Sequence, residues 1–511
     1  MKFLFLLCMV APIYAITFPS FREESLIKRS NDPSIYPGGR NQYKQGWHQL
    51  PHVPGATIDN KTFTVDDKGS FIKTYITENY DPKKIKRAVV IIHGEPRDGW
   101  NQFIYVNKAL DLAVRDSDFS KDEVVIAAPM FLSVEDRGAY PVDAQNASSS
   151  KALIWNVDGW GNMQDAVLPM FTEGKSGNPV MSNSAYSVQG KSESKRSMKS
   201  RKSSVSRQSG SAENHKRFYS ETSNLPFPTH AVDRRALQSV SDATAQGNGP
   251  QISAQDVLNK YAEFFLDRKR FPNLNKLVLG GFSMGGQTIN RYIAMHADLS
   301  DNDRMLYMVA SPGSYLYLDD KRPLPIPKTC AGFNNFKYGL DGNMPPYYYR
   351  NIANNTAGDI RARYLKRQQF YLVGSDDKSA PDSSCAANTQ GKGHVDRMDN
   401  FVMQQLTRLP GAPGDGKLSD NIYYAKVKNV KHDSYRILTS TFGRQALFLT
   451  DFHGGGKNAK GPVVLSHGGN GGGVSQHRNA PVNPKDSAGT LRPMCSTLIV
   501  MITALVVFLV L

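Results

Sequence analysis

A single serine stands between glycines where an apolar run ends, in the stretch LVLGGFSMGGQT at residues 277–288. Gly281 and Gly285 lie two positions to either side of Ser283, which makes the pattern G-x-S-x-G. The residues before it predict a strand, and those after it predict a helix. A sharp strand-to-helix turn of this kind exposes the serine hydroxyl and accepts only small residues at the flanking positions. The pattern favours a serine nucleophile, with a purely structural turn as the alternative.

A serine nucleophile needs a base, and the base needs a carboxylate that holds it in place. Asp376 and Asp377 directly follow the apolar run FYLVGS, and His432 follows the run AKVKNV. The chain order serine, acid, histidine, with each partner after a late strand, is the order used on a parallel sheet of this type. The order favours His432 as the base over its alternative as a surface histidine in a lysine-rich loop.

The negative oxygen of an acyl-transfer intermediate requires backbone N–H donors. We expect one from Met284, which follows the serine at the start of a helix, and the other from Glu95, after the run AVVIIHG. His93 in that run precedes the serine and lies where the donor loop belongs, so it is the weaker candidate for the base. The His-Gly pair would also suit a tight strand exit. No metal and no organic cofactor is needed for this chemistry.

Apolar runs alternate with helical spacing along most of the chain. Continuous apolar runs at 88–94, 123–131 and 275–281 are typical of strands covered on both faces. A helix is predicted from Ser253, whose hydroxyl and Asp256 form a capping-box pattern. Strands that alternate with helices predict an α/β protein with a doubly wound, mostly parallel sheet.

The two ends of the chain resemble sorting segments. Residues 1–15 combine one lysine, an apolar stretch and small residues, as a secretory signal peptide does. Residues 494–511 are apolar to the last residue, which fits a glycosylphosphatidylinositol (GPI) anchor signal or a transmembrane tail helix. We favour the anchor, and in either case the predicted location is the outer side of the plasma membrane.

The remaining chain divides by composition. We expect an extended lead-in over 16–65, a catalytic domain over 66–452 and a glycine-rich linker over 453–493. An insert over 174–249 interrupts the domain, and its part at 191–211 holds seven Lys/Arg and nine Ser against one Glu. Such a segment cannot bury enough apolar surface to offset its ordering entropy. Although the net charge is +16, the sequence therefore predicts a solvated, disordered, basic Ser-rich insert rather than a nucleic-acid site.

An extracellular location sets the expectations for cysteines and glycans. Cys8 and Cys495 lie in the two terminal segments, so their removal would leave Cys330 and Cys385 as a disulfide. Candidate N-glycosylation sites are Asn60, Asn146 and Asn354.

The passages LVLGGFSMGGQTINRY, VASPGSYLYLDDKRP, YLVGSDDKSAPDSSCAANTQG and VKHDSYRILTSTFGRQALF resemble the α/β-hydrolase superfamily, and within it the secreted serine hydrolases of fungi and similar microbes. The resemblance covers about residues 71–450, apart from the insert. It implies an α/β-hydrolase fold with Ser283 as the nucleophile and His432 as the base. It also favours Asp377 over Asp376 as the acid, because relatives tend to read G-x-x-D there. Relatives often have a smaller residue in place of Met284, so this side chain would narrow the pocket.

These expectations combine into one function and one alternative. The sequence predicts a cell-surface serine hydrolase that cleaves an ester, or an amide, through an acyl-enzyme. Its partners would be an ester or acyl substrate and, through the anchor, a membrane. The alternative is a catalytically silent, GPI-anchored binding protein that keeps the hydrolase scaffold.

Overall fold

The computed structural model describes residues 32–140, 151–169, 171–173, 179–181, 250–380 and 382–451. The strands are β1 Ala56–Asp59, β2 Thr74–Thr77, β3 Arg87–Ile92, β4 Val124–Pro129, β5 Leu132–Ser133, β6 Ile154–Trp155, β7 Phe171–Glu173, β8 Pro179–Met181, β9 Lys276–Phe282, β10 Met305–Ala310, β11 Gln368–Gly374 and β12 Ile422–Val427. The α-helices are α1 Gly99–Arg115, α2 Ala254–Leu266, α3 Met284–Met295, α4 Pro346–Asn351, α5 Ala357–Lys366, α6 Cys385–Asn388, α7 His394–Asp399, α8 Ser434–Thr439 and α9 Thr441–Arg444. Segments of π-helix, Asn400–Leu406 and Gln445–Leu449, follow α7 and α9.

Within these ranges, eight strands form one sheet in the order β1-β2-β4-β3-β9-β10-β11-β12. The strands from β4 to β12 in this order pair in parallel, whereas β2 pairs antiparallel with both of its neighbours. Every residue of β3, β4, β9 and β10 is buried, because helices cover both faces of a parallel sheet. The predicted doubly wound, mostly parallel sheet is confirmed.

The folded domain begins before residue 66, inside the segment that the sequence suggested to be an extended lead-in. Strand β1 forms the edge of the main sheet, with Ala56 opposite Thr77. Trp47 is fully buried and packs edge-on against Trp100 of α1, with ring centroids 4.8 Å apart. A four-residue edge strand with one buried residue has too little alternation to be recognised from the sequence.

Helix α2 begins at the predicted cap. The Asp256 N–H donates to the Ser253 hydroxyl, and the Asp256 carboxylate accepts from the Ser253 N–H at 2.8 Å. One apolar face of the helix is buried against the sheet, including Tyr261 and Phe265. The capping box therefore fixes where the chain resumes regular structure before β9.

Several predicted segments lie outside the described residues. These are the signal peptide 1–15, residues 16–31 of the lead-in, Asn146, residues 174–178 and 182–249 of the insert, the linker 453–493 and the tail 494–511. Near the start of the predicted insert, β8 pairs antiparallel with β7. The described helices include none with the length and apolar character that crossing a bilayer requires. Asn60 and Asn354 are both exposed.

A disulfide joins Cys330 to Cys385, as the sequence suggested, with their Cα atoms 5.9 Å apart. It ties the segment 311–345, which follows β10, to helix α6, which follows β11. The two cysteines are 55 residues apart in the chain. In the chain-entropy view, closing a loop of that length stabilises the fold by about 4 kcal/mol.

Candidate active site

Ser283 lies in a strained turn between β9 and α3. Its φ of 58° and ψ of −117° are rare for a residue with a side chain. A Cβ at Gly281 would lie 2.3 Å from the carbonyl carbon of Gly285, and one at Gly285 would lie 2.4 Å from the carbonyl oxygen of Ile92. Both flanking positions therefore require glycine. Strain of this kind persists only where the surroundings enforce it, and it is concentrated at functional sites.

The backbone around Ser283 offers hydrogen-bond donors. The N–H of Met284 is in the first turn of α3, where the helix itself provides no acceptor. A Cβ at Gly94 would lie 3.3 Å from the Cβ of Ser283, so the turn after β3 borders the serine. Glu95 directly follows Gly94, and its side chain is exposed. The structure thus brings the serine and both predicted donor positions to the same edge of the sheet.

His93 stabilises the turn after β3 through hydrogen bonds to the backbone. It is fully buried, its Nδ1–H donates to the carbonyl oxygen of Gly94 at 2.8 Å, and its Nε2 accepts from the N–H of Phe131 at 3.0 Å. Burial lowers the pKa of His93 to about 3, so the ring is neutral at pH 7. Both ring nitrogens are occupied by the backbone, which agrees with the prediction that His93 is not the base.

A buried ion pair holds the other side of the same turn. Arg97 is 2% exposed, and its Nε lies 2.7 Å from a carboxylate oxygen of Asp136. Asp136 also accepts from the backbone N–H groups of Trp47 and Ser133, at 2.8 Å each. This pair could not be predicted from the sequence, because neither residue belongs to a recognisable motif. The Arg97–Asp136 ion pair anchors the Gly94–Glu95 turn to the N-terminal segment that contains Trp47.

His432 and Asp377 meet after the last two strands. The Nδ1 of His432 lies 2.8 Å from Oδ2 of Asp377. An ionised carboxylate can only accept, so Nδ1 carries the proton and Nε2 is left as a base. The His432 ring is 31% exposed and packs on Phe282, next to Ser283, with ring centroids 4.6 Å apart. In the described part of the chain, the Ser283 hydroxyl makes no hydrogen bond; catalytic contacts commonly tighten only with substrate bound.

The two candidate acids differ in their surroundings. Asp377 is buried, whereas Asp376 is exposed and accepts from the hydroxyl of Ser375 at 3.1 Å. Burial is the largest influence on the pKa of Asp377 and would raise it. Hydrogen bonds from His394 and His432 outweigh burial, so the pKa of Asp377 lies below its usual range. The structure therefore places Asp377, and not Asp376, against the histidine.

Comparisons with known proteins give distant likenesses. No family model matches the chain, and no curated protein matches it. A poly(3-hydroxybutyrate) depolymerase from Bordetella parapertussis is 17% identical, with a TM-score of 0.38, over 74% of this chain and 85% of that one. A siderophore hydrolase from Aspergillus nidulans is 11% identical, with a TM-score of 0.34, over 79% of this chain and 96% of that one.

The sheet itself decides the fold. Ser283 follows β9, Asp377 follows β11 and His432 follows β12, all at the carboxyl edge of parallel strands. The chain has the α/β-hydrolase fold.

The candidate site contains a second histidine, His394, which the sequence did not predict. The Nδ1 of His394, at the start of α7, lies 3.0 Å from Oδ1 of Asp377. Asp377, His394 and His432 present ligand atoms within 4.8 Å of one another, close enough for a metal ion. His432 bonds Oδ2 of Asp377, and the Ser379 hydroxyl bonds both Oδ1 of Asp377 and Nδ1 of His394, so hydrogen bonding accounts for the cluster. No strand or motif before His394 indicated it, and only its position in the fold reveals it.

The side chain of Met284, the residue after the serine, packs on Gly161. A Cβ at Gly161 would lie 2.6 Å from Cγ of Met284, so the larger residue after the serine is matched by a glycine opposite. The carbonyl of Gly161 accepts from the buried Arg291 of α3, and Trp160 packs edge-on against His93 at 4.7 Å. The packing of Met284 on Gly161 is observed, and the narrowing of a pocket by Met284 stays a prediction.

Proposed function

We propose that this protein is a serine hydrolase that cleaves carboxylic esters through an acyl-enzyme. The observation that carries the proposal is the Asp377–His432 hydrogen bond of 2.8 Å at the same sheet edge as the strained Ser283. A strained serine, an oriented imidazole and unpaired helix N–H groups are the components of nucleophilic acyl transfer.

In the proposed reaction, the oxygen of Ser283 attacks the substrate carbonyl while Nε2 of His432 takes the hydroxyl proton. The N–H groups of Met284 and Glu95 bind the oxyanion. Asp377 holds the ring in the required tautomer and stabilises the imidazolium. The bond between the carbonyl carbon and the alcohol oxygen then breaks, and the imidazolium protonates the leaving alcohol. Water next attacks the acyl-enzyme while His432 takes its proton, and His432 returns that proton to Ser283 as the acid leaves. An amide substrate would use the same groups.

We propose a cell-surface location for this enzyme on the basis of residues 1–15 and 494–511. A secretory signal at one end and an apolar anchor signal at the other would leave the hydrolase outside the plasma membrane. A GPI anchor is proposed over a transmembrane tail, because a polar stretch and small residues precede the apolar segment.

Fluorophosphonate labelling of the secreted ectodomain tests the proposal, since the probe reacts with an activated serine. We expect wild-type protein to be labelled on Ser283 by peptide mapping, and Ser283→Ala to be unlabelled. Ser117→Ala is the matched control, because Ser117 lies beyond the end of α1 and bonds the Ala113 carbonyl at 2.7 Å. Absence of label on a folded wild-type protein would favour the silent binding scaffold instead.

A further inference from the structure

The carboxylate of Asp377 is shared between two histidines. Oδ2 receives the Nδ1–H of His432 at 2.8 Å, whereas Nδ1 of His394 lies 3.0 Å from Oδ1 and 3.3 Å from the hydroxyl oxygen of Ser379. The hydroxyl of Ser379 also donates to Oδ1 at 3.0 Å. The proposed catalytic acid is therefore held from both sides, and only one side faces the proposed base.

His394 lies next to Asp377 and is shielded from solvent. It is 1% exposed, and its ring stacks on that of His432 with centroids 4.4 Å apart. Its backbone N–H donates to the carbonyl of Ser379 at 3.1 Å, and the next N–H, of Val395, donates to the carbonyl of Asp377 at 3.2 Å. Its Nε2 is buried without a partner among the described residues. The ring therefore cannot reach a substrate.

The charged state of His394 follows from its surroundings. Burial lowers the pKa of His394, the Asp377 carboxylate opposes that effect, and the charges of His432 and Arg397 add to it. These are the charged groups that act on the ring from the acid loop, the base loop and α7 itself. A neutral ring with its proton on Nδ1 is a donor to Asp377 at pH 7.

We propose that His394 is a positioning residue that fixes the Asp377 carboxylate and limits how strongly it binds the imidazolium of His432. This proposal rests on the proposed function. A donor on Oδ1 prevents the carboxylate from rotating, so Oδ2 stays aimed at His432. The same donor takes up part of the negative charge, which otherwise would be concentrated on the oxygen that faces the base. His394 thus sets both the orientation of the Asp377 carboxylate and the charge on the oxygen that faces the proposed base.

The test uses the second-order rate of fluorophosphonate labelling between pH 4.5 and 8.5, which needs no knowledge of the substrate. We expect His394→Ala to lower the rate at pH 8 by about 10- to 100-fold, the loss typical of removing an outer partner of a functional histidine. We also expect the acid limb of the pH–rate profile, where the labelling rate falls at low pH, to move to higher pH in His394→Ala. The shift should be roughly half a unit or more, because the Asp377 carboxylate loses a donor. His394→Asn, whose amide N–H can replace Nδ1–H, should recover most of the rate and the wild-type acid limb.

The variants separate positioning from a purely structural role. If His394→Ala and His394→Asn lose the same activity with an unmoved acid limb, the proposal is overturned. Should His394→Ala fail to fold, Ser379→Ala removes the other donor to the same oxygen and should shift the acid limb in the same direction by a smaller amount. An unlabelled wild type would refute the proposed function itself, whereas a labelled wild type with unaltered His394 and Ser379 variants would refute only this inference.

Discussion

At the residue scale, the two neighbouring aspartates after β11 show how surroundings assign a role. Asp377 is buried and receives N–H groups from two imidazoles, and its pKa is held below its usual range. Asp376 is exposed, and its carboxylate receives one hydroxyl. Successive side chains in this turn point to opposite sides, so the carboxylate of Asp377 is buried in the protein and that of Asp376 is exposed to solvent.

Replacing each aspartate by asparagine should separate the two. Asp377→Asn should lower the labelling rate at pH 8 by about 10³- to 10⁴-fold, because the amide presents an N–H and favours the wrong imidazole tautomer. Asp376→Asn, its matched control one residue away, should stay within about twofold of wild type. An equal loss in both variants, measured on folded protein, would contradict the assignment of Asp377.

At the element scale, the β9–α3 turn is fixed by the strands on both sides of it. The N–H of Ser283 donates to the carbonyl of Ala310, at the end of β10, at 2.9 Å. On the other side, Gly285 lies so close to β3 that its missing Cβ would be 2.4 Å from the carbonyl oxygen of Ile92. The strain at Ser283 is therefore maintained by the sheet.

Gly285→Ala should destabilise the fold by about 1–3 kcal/mol or prevent folding, because the new methyl group meets backbone that cannot move aside. Gly358→Ala is the control, since Gly358 lies in α5, where the nearest atom to a Cβ is the hydroxyl of Thr356 at 3.3 Å. It should leave stability unchanged or raise it by up to about 1 kcal/mol through helix propensity. The urea unfolding midpoints of the two variants measure these changes in stability. Equal midpoints for Gly285→Ala and wild type would refute the steric contact between position 285 and the carbonyl oxygen of Ile92.

At the scale of the whole domain, the segment after β10 and the loop after β11 form one layer over the carboxyl edge of the sheet. The Cys330–Cys385 disulfide joins them covalently. Arg397 of α7 joins them a second time, because its guanidinium donates to the carbonyls of Gly313 and Asp382. The proposed acid therefore sits in a layer held by two independent links.

Replacing both Cys330 and Cys385 by serine should lower the free energy of unfolding by about 2–4 kcal/mol. Ser283 should still be labelled at temperatures below the unfolding transition, because the Arg397 contacts remain. Dithiothreitol should lower the melting temperature of the wild type toward that of the double variant and leave the variant unchanged. If dithiothreitol leaves the melting temperature of the wild type unchanged, the Cys330–Cys385 disulfide does not stabilise the fold as proposed.

Features that depend on neighbouring residues could be predicted from the amino-acid sequence alone. The glycines around Ser283, the buried runs that became β3, β4 and β9, and the cap at Ser253 are local patterns with local physical causes. The pairing of Cys330 with Cys385 followed from counting, because the other two cysteines lie in terminal segments. Chain order was enough to select His432 from the histidines as the base to be tested.

The groups that share one carboxylate could not be predicted, because they meet only in the folded domain. Asp377 and His432 are 55 residues apart, and the burial that separates Asp377 from Asp376 comes from α7 and the loop after β12. His394 had no sequence signal, because a histidine at a short helix start resembles any other surface histidine until α7 packs on β11. Trp47 and β1 joined the domain for the same reason. Their partners are distant in the chain, and burial and hydrogen bonding at such sites are properties of the assembled fold.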